Sequence, residues 1–151
     1  MQPAWGRDSA ALLGRVFISG IFLQAVLGKT LGWSGQAAYM AANGMHFITP
    51  LLAAALVIEA VGTACILSGY RASAAALIMS VYLLMVTVRL HNFWSLEGSH
   101  AAMMQTHFLK NLAIVGGLLL LAAFGPGRFA LGHNGWLHSA RETAILLSGV
   151  Y

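Results

Sequence analysis

The sequence predicts an all-α integral membrane protein, a four-helix bundle with both termini cytoplasmic, and three observations carry that prediction. Hydrophobic residues make up 59% of the 151 residues and charged residues only 8%, against about 25% charged in a soluble domain. Four apolar runs are each long enough to cross a hydrocarbon core about 30 Å thick. The cations are biased towards one end of those runs, which is the asymmetry that orients multi-pass proteins. The mean hydropathy of +0.77 agrees, and the length suits one domain. That domain is set at residues 1–129, with a short surface tail over 130–151.

The first crossing spans about 10–28. Arg15 interrupts what would be the apolar centre of a cleaved leader, so the run reads as a retained helix. Lys29 to Thr49 holds Gly32, Gly35, Asn43 and Gly44 with Trp33, Tyr39, His46 and Phe47. This composition predicts an interfacial connector, with a short helix over Gln36 to Ala42. Pro50 suits a first helical turn, where its missing N–H costs nothing, and opens a second crossing over 50–69.

Tyr70, Arg71 and Ala72 leave room only for a tight turn before the third crossing, 73–90, so the second and third form an antiparallel hairpin. The fourth covers 100–124, with Ser99 as its cap. The Gly-Pro-Gly-Arg run at Gly125 to Arg128 stops it. Ala144 to Val150 is too short to span and is expected to lie on the membrane surface. Small residues at Gly14, Gly20, Ala53 to Ala55, Ala74 to Ala76, Gly116 and Gly117 offer close helix packing, which is how bundles in lipid gain contact.

A cytoplasmic N-terminus places Arg7, Arg71, Arg128 and Arg141 inside and leaves Lys29, Arg89 and Lys110 towards the outside. The formal net charge of +4 does not indicate nucleic acid, because the Lys and Arg residues are scattered singly instead of clustered on a solvated face. Cys65 is the sole cysteine, which excludes an internal disulfide and a CxxC redox pair.

Chemistry concentrates at two places. Glu59 lies near the middle of the second crossing, where an ionised carboxylate requires a partner. Arg15 could reach it from the cytoplasmic half and Lys110 from the outer half, giving the charge network Arg15, Glu59 and Lys110. Two readings fit Glu59: structural glue between helices, or proton or substrate handling.

The second place is Arg89 to Lys110, which carries three of the six histidines. With Ser99 as cap, His100, Met103 or Met104, His107, and Lys110 with Asn111 share one helical face. Imidazole with thioether suits haem iron or copper(I), so His91, His100, Met104 and His107 form one ligand set. His100 and His107 stand about two turns apart, which keeps them from one ion without a shift. Arg89, His91, Trp94, His107, Lys110 and Asn111 also offer donors and an aromatic surface for a quinone head group. An ordinary membrane interface has the same composition, so the three readings stay open.

The order of several short motifs resembles the DoxX family: Gly14-Arg15, Gly28-Lys29, Ala37 to Gly44, Glu59, His91 to Trp94, His107 to Asn111 and Gly125 to Arg128. The likeness covers about Leu12 to Phe129. It implies a small bacterial inner-membrane protein, a subunit of a quinone-linked redox system of the thiosulfate:quinone oxidoreductase or oxidative-stress kind. Other membrane or periplasmic redox subunits are the partners it implies, and the oligomeric state is open. Two alternatives accompany it, a non-catalytic assembly subunit and a haem- or copper-binding membrane protein. His133, Trp136 and His138 extend past the pattern.

Overall fold

The structure is a computed structural model and describes residues 4–131. It contains α1 (Ala4–Leu31), α2 (Trp33–Ala42), α3 (Ile48–Ser68), α4 (Ala72–Leu90), a 3-10 turn (Phe93–Ser95) and α5 (Gly98–Phe124). No strand occurs among the described residues. The four long helices are each apolar and long enough to cross a membrane. The expected surface segment at Ala144 to Val150, with His133, Trp136 and His138, lies outside the described residues.

α1 differs most from expectation. It begins at Ala4 instead of residue 10 and runs to Leu31, about 42 Å at 1.5 Å per residue. Polar Arg7, Asp8 and Ser9 hide this start in a hydropathy reading, yet none of them breaks a helix, so the helix continues past the hydrocarbon. α2 likewise begins at Trp33, ahead of Gln36. The cap of α5 is Glu97, in extended conformation, and Ser99 sits inside the helix.

α3 and α4 form an antiparallel hairpin through Gly69, Tyr70 and Arg71. Gly69 adopts φ +82° and its N–H donates to the Cys65 and Ile66 carbonyls. A side chain there would collide with Arg15 and Ala130, so glycine is required for space as well as for its dihedral.

The long helices form a ring in which α1 packs on α3, α3 on α4, α4 on α5 and α5 back on α1. Their hydrophobicity runs all round, so apolarity cannot choose the inward face. Small and polar residues choose it instead. α4 is the most enclosed, burying Ala72, Ala75, Ala76, Met79, Ser80, Tyr82, Leu83 and Thr87. Gly62 of α3 faces Met79, whose thioether occupies the space a β-carbon would take. Of the small residues expected to pack, Gly117 meets Ile18 while Gly14, Gly20 and Gly116 meet nothing. Phe17, Val57, Ile78, Met85 and Phe124 point outward, as lipid-facing side chains do.

Residues near the chain start, the α3–α4 turn and the end of α5 meet at one end of the bundle. Asp8 accepts from the Arg128 N–H, and the Leu131 N–H donates to the Ser68 carbonyl. This end carries Arg7, Arg71 and Arg128, and by the charge bias it is termed the inner end.

Candidate functional site

Glu59 lies about 16 Å along α3 from its outer start. It is 4% exposed. Lys29, near the end of α1, reaches back into the bundle and donates to Oε1 at 2.9 Å and Oε2 at 2.8 Å. Tyr82 of α4 donates its hydroxyl to Oε1 at 2.7 Å. Three helices thus supply one anion, one cation and one neutral donor, which is the degree of satisfaction a buried carboxylate needs.

The expected partners are therefore replaced. Arg15 is 2% exposed and turned to the inner end, where Nη1 donates to the Pro126 carbonyl at 3.1 Å and Nη2 to the Phe129 carbonyl at 2.8 Å. The loop after α5 has carbonyls that no helix satisfies, and the two-pronged guanidinium suits two of them. Lys110 is exposed on α5 and has no ion pair to Glu59.

At the outer end, α4 and α5 meet along a seam with two polar rungs. Asn111 Nδ2 donates to Thr87 Oγ1 at 2.9 Å, and that hydroxyl donates to the Leu83 carbonyl. One turn further out on both helices, the His91 and His107 rings stack with centroids 5.4 Å apart. His91 Nδ1 is buried without a partner. Below Thr87 the seam becomes apolar at Leu83 and Val115. Phe93, Trp94 and Phe108 pack edge to face beside the outer rung.

The remaining candidates separate. Arg89 donates to the Asn43 carbonyl at 2.8 Å and the Gly44 carbonyl at 3.3 Å, tying α4 to the connector between α2 and α3. Tyr39 adds a bond to the Leu90 carbonyl. Trp94 is 59% exposed. His100 is exposed about 10 Å along α5 from His107, and Met104 lies half-buried between them. Among the described residues no three His, Cys, Asp or Glu side chains gather as a metal site. The set His91, His100, Met104 and His107 thus reduces to one stacked pair, because helical rise carries His100 away.

Lys29 as the partner of Glu59, and Tyr82, Thr87, Ser19 and Thr63 as interior polar groups, were not expected. Tyr82 and Thr87 had a visible signal, since they interrupt an apolar run. For Lys29 there was none, because a cation at a helix end ordinarily points to water.

The sequence as a whole has relatives among known proteins. The chain matches the SURF4 family over residues 45–135. It is 34% identical over 125 residues to inner membrane protein YqjF of Escherichia coli (strain K12), covering 82% of this chain and 90% of YqjF. The chain belongs to the SURF4 family. Inner membrane protein YphA of the same organism is 33% identical over 127 residues, covering 83% of this chain and 89% of YphA. The ER-derived vesicles protein ERV29 of Saccharomyces cerevisiae (strain ATCC 204508 / S288c) is 29% identical over 76 residues, half of this chain and 24% of that protein. No solved structure gives a significant match.

SURF4 membership corrects the DoxX resemblance. The motifs behind that likeness mark where helices begin, end and pair, as at Lys29, His91 and Gly125, so they report a four-helix architecture more than a chemistry. The quinone-linked redox role falls with it, as does the basis for redox partners. The SURF4 chain is a multi-pass inner-membrane protein, embedded in the bilayer through four helices.

Proposed function

We propose that this SURF4 member is a binding protein of the inner membrane that receives a phosphate-bearing anion, such as a lipid headgroup, in the outer half of the α4–α5 seam. One observation carries the reading: His91 Nδ1 is buried and unpartnered beside His107. A buried ring nitrogen without a partner costs free energy unless something outside the fold supplies one. Lys110 lies one turn along α5 from His107 and is exposed. Glu59 is occupied by Lys29, so Glu97 is the only other carboxylate on the outer half among the described residues. Lys110, and His91 in the tautomer that carries its proton on Nδ1, are donors without an internal acceptor and suit an anion. The aromatic wall of Phe93, Trp94 and Phe108 offers an apolar flank at headgroup depth.

The purified full-length protein in zwitterionic detergent is titrated with phosphatidylglycerol, phosphatidylcholine and inorganic phosphate while its Tm is followed. A saturable rise with phosphatidylglycerol, absent with phosphatidylcholine and lost in His91→Ala and Lys110→Ala, is expected. A rise with inorganic phosphate as well assigns the contact to the phosphate group alone. No response to either anion overturns the reading.

A further inference from the structure

Two buried hydroxyls, one on α1 and one on α3, are unaccounted for among the described residues. Ser19 is 3% exposed and Thr63 6% exposed, and neither Ser19 Oγ nor Thr63 Oγ1 has a hydrogen-bond partner. Elsewhere the fold solves this locally: Thr30, Ser68, Ser80, Thr87 and Thr106 each donate to the carbonyl four residues earlier. The two exceptions lie on α1 and α3, which pack against each other. In hydrocarbon no solvent can satisfy such groups, so only protein or internal water will serve.

Register gives their position. α1 and α3 run antiparallel, joined in the outer half by Lys29 to Glu59, and at the inner end Arg15 lies against Gly69. Thr63 lies one turn inward of Glu59, and Ser19 one turn outward of Arg15. The stretch between the two buried charges therefore carries both unpartnered hydroxyls. Arg15 Nε, also buried and unpartnered, adds a donor at its inner end.

We infer that internal water bridges Ser19 and Thr63 along the α1–α3 seam and connects Glu59 to the inner face, which makes Glu59 a proton-binding site served from the side opposite Lys29. The groups facing Glu59 are Lys29 from α1 and Tyr82 from α4, while α2, also packed on α3, has no charged residue. Proton uptake forms one O–H bond on a Glu59 oxygen, the proton coming from hydronium at the inner surface through the water. Lys29 keeps its proton, so the site passes from neutral to a single positive charge. The lysine then loses its counter-ion, and its four-carbon stem can carry the ammonium to the outer interface. A proton taken from inside thereby moves a positive charge towards the outside.

Infrared spectra of the full-length protein in phosphatidylcholine vesicles test this. Acidification should produce a carboxylic C=O band that is lost in Glu59→Gln and shifts on transfer to D2O. Deuterium exchange of that band should slow in Ser19→Ala/Thr63→Val and stay fast in Thr63→Ser, with circular dichroism verifying the helices. A wild-type protein with no such band at any pH where the helices persist overturns the site, whatever the variants do. Exchange equally fast in a folded double variant overturns the path.

Discussion

Lys29 holds Glu59 with both carboxylate oxygens, at 2.9 and 2.8 Å, from 30 residues away along the chain. The lysine belongs to the outer end of α1 and the glutamate to the middle of α3, so the contact exists because the cation turns away from the interface and into the bundle.

Lys29→Met leaves Glu59 buried without its counter-charge, and the expected loss of stability is about 3 kcal/mol. Glu59→Gln, which keeps an acceptor for Tyr82, should cost less. The paired Lys29→Met/Glu59→Met variant should recover to within about 1 kcal/mol of the parent, since replacing both charges removes the desolvation cost. Denaturation in mixed micelles measures all three, and full additivity of the single changes would refute a direct pair.

Gly62→Ala drives a methyl group into the Met79 thioether, which has no exposed surface to retreat to. Overpacking of this kind costs about 1–3 kcal/mol. Met79→Ala in the same chain should restore part of the loss. Gly116→Ala meets nothing within 4 Å and is the control expected to change little. Equal thermal shifts for Gly62→Ala and Gly116→Ala would contradict the close approach of α3 and α4.

Gly69→Ala combines a positive φ with a collision against Arg15 and Ala130. The dihedral alone costs on the order of 1–3 kcal/mol. Displacing Arg15 should also release its hold on the Pro126 and Phe129 carbonyls, and limited proteolysis should then cut within 125–131. Arg15→Lys leaves the α3–α4 turn intact but cannot fork to two acceptors, so it should give the same cleavage. A loop resistant in both variants would show that Arg15 does not secure it.

Four crossings, their order and the α3–α4 hairpin were legible because hydropathy and Gly-Pro punctuation act locally. Glu59 was legible as a buried charge, whereas its partner was not. Arg15 was drawn away by the unsatisfied carbonyls of the loop after α5, and Lys29 could serve only by turning inward. On α5 the spacing of His107 and Asn111 was visible from periodicity. Their pairing with His91 and Thr87 depended on how far α4 slides against α5, which no single helix encodes. The DoxX likeness misled for a related reason, since motifs at helix ends record where a chain turns and carry little about what it binds.

The Arg15 contacts also have a place in time. The acceptors of its guanidinium lie 111 and 114 residues further along the chain, an interval on the order of ten seconds at ordinary rates of synthesis. α1 therefore waits with an unmatched charge until α5 has been completed. A nascent chain halted before Pro126 lacks both acceptors, so this contact closes only when the loop after α5 arrives.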